Sequence, residues 1–305
     1  MTNSPSTPTI AVLGLGAMGT AIARSCARAG TRVVAWNRTP RRAADLGLDD
    51  TAQLEMARSP EAAADAADLV VICVRDHDAA RRVLRQIAPA LREQVVVNVS
   101  TGTPDATVET AALAGRLGVR YVTGAVMVPT PVVGTDSCLV LYAGASEDLA
   151  ELTVLGDGLG GTSDLTGSNH AVPATLDLAM LDIFFTGMYA HLHATTLASA
   201  HGIDPGRFLP YAQAVVETLR DSLPGLTASV ELRTYATGEA RLDMCLAFLE
   251  TIVASSREAG IPPAQAELVR ATSARALERW PGSTDWDVVA EDLRAPGGIA
   301  APAAG

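Results

Sequence analysis

Lysine is missing from this chain altogether: among 305 residues, all 23 basic side chains are arginine. A lysine general base and a lysine Schiff base are therefore excluded. Cysteine is scarce, and Cys26, Cys73, Cys138 and Cys245 lie far apart without paired spacing, which speaks against a zinc site or a disulfide framework. No uninterrupted apolar run reaches the ~18 residues of a membrane-spanning helix. The stretch from Met1 to Thr9 is polar and rich in Ser, Thr and Pro, without the basic and apolar regions of a secretory signal. Positive charge is also outweighed: the formal net charge is −11, which leaves no electrostatic footprint for nucleic acid or an anionic membrane. These absences predict a soluble, cytoplasmic protein in a reducing compartment.

What is present reads as globular. Hydrophobic content of 48% and charged content of 19% suit buried cores, and the length suits two domains. Thr9 to Leu13 is a short apolar run ending at glycines, as a buried parallel strand does. Ala17 to Ala29 reads as a helix closed by Gly30. Arg32 to Trp36 reads as the next strand, and Pro40 to Leu46 as the start of another helix. Asp68 to Val74, Gln94 to Val99, Val119 to Val122 and Ser137 to Ala143 read as further strands, with helices around Asp78 to Leu91 and Asp105 to Leu117. The alternation predicts an α/β Rossmann domain, a doubly wound parallel sheet, over residues 1–168. From about Pro173 strands give way to helices: Ala174 to Ala200, Asp204 to Leu219, Arg241 to Ala259 and Pro263 to Glu278. An all-helical domain is expected over 169–305, joined to the first by the long helix from Ala174. The tail from Ala295 to Gly305 has little to pack.

Gly14-Leu15-Gly16-Ala17-Met18-Gly19 fits G-x-G-x-x-G. Alone the pattern is weak, but here it follows an apolar strand and opens a helix, the context that gives it meaning. Gly14 permits the tight turn, Gly16 lets the backbone approach a pyrophosphate, and Gly19 lets the helix pack on the strand. The helix start offers free N–H groups and a positive dipole end. Strand two ends in Trp36-Asn37-Arg38-Thr39, followed by Arg41 and Arg42. The carboxylate that would accept from the ribose of NAD is missing, and arginines stand where a 2′-phosphate would lie. NADPH is the expected cofactor, with Asn37, Arg38, Thr39 and Arg42 around the phosphate. Cys73 and Val74, at the end of the strand Asp68 to Val74, are placed with the cofactor-binding residues. Thr101 ends another strand on the nicotinamide side; Ser100 and Thr101 could equally cap the helix that follows.

Together with Gly124-Ala125-Val126-Met127-Val128-Pro129, these elements resemble the NADPH-dependent imine reductases, within the β-hydroxyacid dehydrogenase superfamily, over almost the whole chain from Thr9 to about Leu293. The parent superfamily uses a lysine on the interdomain helix as its acid/base. Near that position this chain reads Ala174-Thr175-Leu176-Asp177, so the resemblance implies reduction of a C=N bond rather than hydroxyacid chemistry. It also implies an Asp early on that helix, matched by Asp177, and a Tyr or Asp donor eight residues later, where Phe185 stands and can donate nothing.

Asp182, Phe185 and Tyr189 share a helical face at ~100° per residue, a face that Leu178, Leu192 and Thr196 extend. A carboxyl held between Leu178 and Phe185 is expected to be desolvated into a usable acid, and Tyr189 could donate from its hydroxyl. The candidate catalytic set is thus Asp177, Asp182, Tyr189 and Thr101, although an Asp on such a helix is more often solvent-facing and a Tyr more often core. A metal is not required, and His191 and His193, two apart, point to different sides of a helix. Met244, Phe248 and Thr251 form an apolar stripe; the resemblance implies that this helix roofs the partner's site in an interlocked homodimer with shared sites. Reduction of an aldehyde or ketone, or an NADPH-binding sensor with little turnover, are the competing readings.

Overall fold

The structure is a computed structural model and describes residues 8–44, 47, 53–236, 238 and 240–294. Two compact units divide at Ile183/Phe184. The first begins β1 (Thr9–Leu13), α1 (Ala17–Arg28), β2 (Arg32–Trp36), β3 (Leu54–Met56), α2 (Pro60–Asp65), β4 (Leu69–Ile72) and α3 (His77–Ile87). It continues with β5 (Val95–Asn98), α4 (Pro104–Arg116), β6 (Tyr121–Val126), β7 (Leu139–Ala143), α5 (Ser146–Leu149), α6 (Thr153–Leu159) and β8 (Thr162–Leu165). The sheet order is β3-β2-β1-β4-β5-β6-β7-β8, whose first six places are those of a dinucleotide-binding sheet. Strands β1 to β6 pair in parallel, whereas β7 runs antiparallel to β6 and β8 parallel to β7. The expected all-parallel sheet therefore carries a reversed pair at one edge.

The apolar runs of β1, β4 and β5 are continuous because both faces of the sheet are covered. Ile10 and Val12 join one core with Ile22 and Ala23 of α1 and Leu155 and Leu159 of α6. Ala11 and Leu13 point the other way, to Ala80, Leu84 and Ile87 of α3 and Leu113 of α4. Side-chain caps start three of these helices: Ser59 Oγ accepts from Ala62 N, Asp76 Oδ1 from Ala79 N, and Thr103 Oγ1 from Ala106 N, each contributing about 1 kcal/mol. The expected helix at Pro40 to Leu46 does not form over its described start, Pro40 to Ala43; residues 45 and 46 lie outside the described residues. The short elements β3, α2, α5, α6 and β8 were not expected, since none is long enough to show a period.

Architecture changes between Leu165 and Ala171, where β8 gives way to α7 (Ala171–Ala200). Then come α8 (Pro205–Leu232), α9 (Leu242–Glu258), α10 (Ala264–Leu277) and α11 (Ala290–Leu293). Helix α8 runs well past the expected end at Leu219 and crosses Pro224; each internal proline forfeits one ladder bond without forcing a stop. Among the described residues the second unit has one cluster of buried apolar side chains, Tyr235, Leu242, Ala276, Val288 and Val289. Ion pairs Arg233–Glu291 and Arg279–Asp292 and the hydrogen bond from Tyr235 to Glu291 surround it. Helix α7 is long and apolar enough, by length and composition, to cross a membrane, although Asp177, Asp182, His191 and His193 interrupt its apolar run.

Candidate active site

The C-terminal ends of β1, β2 and β4 frame a cavity of about 730 Å³. Its walls bring together Gly14, Leu15, Gly16, Ala17, Met18, Asn37, Arg38, Thr39, Cys73 and Val74, all expected at the cofactor. Arg42 and Thr101 do not line it. Arg75, Arg82, Arg85 and Gln86 do; they belong to the β4–α3 segment, whose closeness to the glycine loop follows from strand order and not from any motif.

Each glycine of the fingerprint has its own reason. A Cβ on Gly14, whose φ is +107°, would strike the Cys73 carbonyl oxygen at 2.2 Å, and one on Gly19 would strike the Gly14 oxygen at 2.0 Å. Those two are demanded by the fold. A Cβ on Gly16 would meet no protein atom within 4 Å, so internal packing does not require that glycine. The same residue is the N-cap of α1 and provides no side-chain cap, leaving N–H groups at a positive helix end free for an anion. A dinucleotide pyrophosphate fits this cradle.

Asn37 turns out to be committed within the protein. Its Oδ1 accepts from Leu15 N at 3.0 Å and its Nδ2 donates to the Thr39 carbonyl at 2.8 Å. It ties the glycine loop to the turn after β2, where the exposed Arg38 lines the cavity. Cys73, also in the wall, has its thiol pushed up to about 12 by burial and is no nucleophile.

Beside this cavity the loop after β5 is pinned. Ser100 Oγ accepts from Val74 N at 3.1 Å, and Ser100 N donates to Asn98 Oδ1 at 3.1 Å. Thr103, and neither Ser100 nor Thr101, caps α4, which leaves the Thr101 hydroxyl available. It hydrogen-bonds Asp177 of α7. Asp177 is 7% exposed, and burial raises its carboxyl above the ordinary range, with the Thr101 hydrogen bond opposing. The fold thus supplies a buried acid, but at Asp177. Asp182 is exposed, as are Phe185 at 61% and Tyr189 at 46%. The burial expected for Asp182 between Leu178 and Phe185 is not seen in the single chain, because a helical face cannot cover its own side chains.

An uncapped glycine loop at the C-terminal edge of a 3-2-1-4-5-6 sheet defines a dinucleotide-binding Rossmann protein. The NAD binding domain of 6-phosphogluconate dehydrogenase matches residues 9–151, and the NADPH-dependent reductive aminase-like C-terminal domain matches residues 169–295. The chain is 27% identical to the NADPH-dependent reductive aminase of Aspergillus oryzae, over 92% of this chain and 96% of that protein. Among solved structures it is similar to the Streptomyces aurantiacus imine reductase, with 26% identity, TM-score 0.86, and coverage of 94% and 100%. A reductive aminase from Aspergillus terreus, solved with an NADPH-type cofactor, cyclohexanone and allyl amine, is 28% identical, with TM-score 0.86 and coverage of 95% and 100%. The chain belongs to the NADPH-dependent imine reductase family.

Proposed function

We propose that this protein reduces C=N bonds, converting an imine or iminium to an amine at the expense of NADPH and one proton. The observation that carries the reading is a buried carboxyl, Asp177, hydrogen-bonded to Thr101 in a chain that has no lysine to serve a hydroxyacid dehydrogenase. Bound in the glycine-loop cavity, NADPH supplies the hydride. The chain's own tasks are to hold the pyrophosphate on the α1 N-terminus, to grip the 2′-phosphate with Arg38, Thr39 and Arg42, and to keep a proton near the substrate nitrogen. A carboxyl whose protonated form is favoured by burial is suited to that last task. Asp182 and Tyr189 are second candidates, on a face whose desolvation has to come from a covering molecule. Asp177 and Thr101 complete the proposed catalytic set.

The substrate is a small-molecule imine, and the assembly is an interlocked homodimer in the cytoplasm with shared sites. Support for the dimer is the apolar surface that α7 and α8 leave open. The acidic side chains of α7 suit a protein partner better than a bilayer.

The test is NADPH oxidation with a cyclic imine against a glyoxylate-type carbonyl, with the amine product identified. Imine turnover well above carbonyl turnover is expected. Arg38→Ala should weaken NADPH at least about 10-fold, as loss of a charged hydrogen bond does, and leave NADH nearly unchanged. Carbonyl turnover in excess would overturn the reading, and equal loss of both cofactors would remove Arg38 from phosphate recognition.

A further inference from the structure

Behind Asp177 lies a second cavity, with room for about one water at ≈ 10 Å³. Ser100, Thr101, Thr107, Thr123 and Asp177 are among its lining residues. All but Thr101 are at least nine-tenths buried. A space of this size with two to four polar partners is the requirement for an internal water. Thr107 and Thr123 lead away from it in different directions. Thr107 Oγ1 lies 3.3 Å from His77 Nε2, and His77 Nδ1 lies 2.9 Å from Thr110 Oγ1. That histidine is 4% exposed and a Cβ on Gly102 would collide with its ring, so it is a sealed packing element. Thr123 Oγ1 lies 3.0 Å from Nδ1 of His170, which is only partly buried and stands one residue before α7.

A buried tyrosine joins this second branch. Tyr121 Oη accepts from Asn98 Nδ2 at 2.9 Å and also reaches Thr123. The Thr123 contact stabilises the Tyr121 oxygen, as a hydroxyl turned toward it does. Thr123 Oγ1 thus stands between Tyr121 Oη, His170 Nδ1 and the cavity it lines with Asp177, and its hydroxyl can rotate among these partners.

We propose that His170, Thr123 and one water in this cavity form a proton relay that recharges Asp177 from solvent. The inference rests on the C=N-reducing function above, which consumes one proton each turnover. A solvent proton adds to His170 Nε2, and His170 Nδ1–H passes its proton to Thr123 Oγ1. Thr123 passes one to the water, the water passes one to the Asp177 carboxylate, and Asp177 gives it to the substrate nitrogen. Each transfer breaks one O–H or N–H bond and makes one, no electrons are exchanged, and the water and the hydroxyl are regenerated; His170 is left as its Nε2–H tautomer and regains Nδ1–H by exchange with solvent before the next turnover. His170 and Thr123 are positioning residues, since neither touches the substrate. Burial lowers the affinity of His170 for a proton and raises that of Asp177, which directs the proton inward. The Tyr121 ring faces His170 at 5.8 Å and Thr101 faces Asp177; among the described residues no charged side chain contributes to either shift.

The test compares Thr123→Val, Thr123→Ser and His170→Gln with the wild type, using a cyclic imine at saturating NADPH. Above neutral pH, where the imine is not already protonated, Thr123→Val and His170→Gln should lose about 10-fold in kcat, at or below the lower end of the ~10²–10⁴ of a direct acid. KM should hold, the solvent deuterium isotope effect on kcat should rise, and Thr123→Ser should behave as wild type. Wild-type kcat and isotope effect in both Thr123→Val and His170→Gln would overturn the relay while leaving imine reduction standing. A crystal structure at high resolution needs no turnover: it should show one water bonded to both Asp177 and Thr123. A dry cavity overturns the relay whatever the enzyme reduces.

Discussion

Asp177 holds its charge at a cost, because burial disfavours the carboxylate more than Thr101 stabilises it. Its folded-state pKa lies above the unfolded value, so the native state binds the proton more tightly. Stability from this group is present below the unfolded pKa and is lost as pH rises through the folded one. Asp177→Asn removes that penalty and can keep the hydrogen bond to Thr101. At neutral pH the variant is expected to match or exceed the wild type in melting temperature while kcat falls by ~10²–10⁴, the worth of a general acid. At pH below the unfolded value the two melting temperatures should converge. Thermal unfolding and steady-state rates on one preparation check both halves. Full activity in Asp177→Asn would take the acid role away from it. Asn37 shows a different side of the residue scale. Its amide looked like a phosphate donor in sequence, but its oxygen and one donor are spent inside the loop, a use that no local pattern announces.

Helices long enough to repeat their pattern were legible, and short ones were not. The glycine fingerprint, β1, β2 and α1 were readable because strand, turn and helix signals fall in one unbroken stretch, and their bounds agree to within a residue. The reversed β7–β8 edge was hidden, since a strand's direction depends on partners far away in sequence. The cavity wall from Arg75 to Gln86 was hidden for the same reason. On α7 the helical period places Asp182, Phe185 and Tyr189 on one face, but burial depends on what covers that face. Asp182 is exposed in the single chain, whereas Asp177, nearer the helix start, is buried beside Thr123. Asp182→Asn and Tyr189→Phe are therefore expected to lower kcat by less than ~10-fold across pH, below the range of a direct donor. A defect in either variant that deepens as pH rises, where the imine no longer arrives protonated, would assign the proton to this face instead.

At the scale of the whole molecule the two units differ in how well each can hold itself together. The first has a sheet with a buried core on either face. The second gathers its five-residue apolar cluster around the ends of α8, α9 and α10, which is little for a unit spanning Phe184–Gly305. Its long helices meanwhile expose Phe185, Leu192 at 64%, Val215 at 63% and Phe248 at 59%. Apolar surface of that extent suits a protein interface, and a second copy of the chain is the partner proposed for it. An interface that completes a core couples folding to association, so stability depends on protein concentration. Sedimentation should give twice the 31.5 kDa chain mass, and the melting temperature should rise with concentration. Leu192→Glu and Val215→Glu, at exposed apolar positions of α7 and α8, should yield monomers that melt earlier and lose activity together with mass. Because both positions are exposed in the single chain, neither substitution disturbs packing within it. A monomeric wild type, active at micromolar concentration, would overturn the dimer and return α7 to the question of what else covers it.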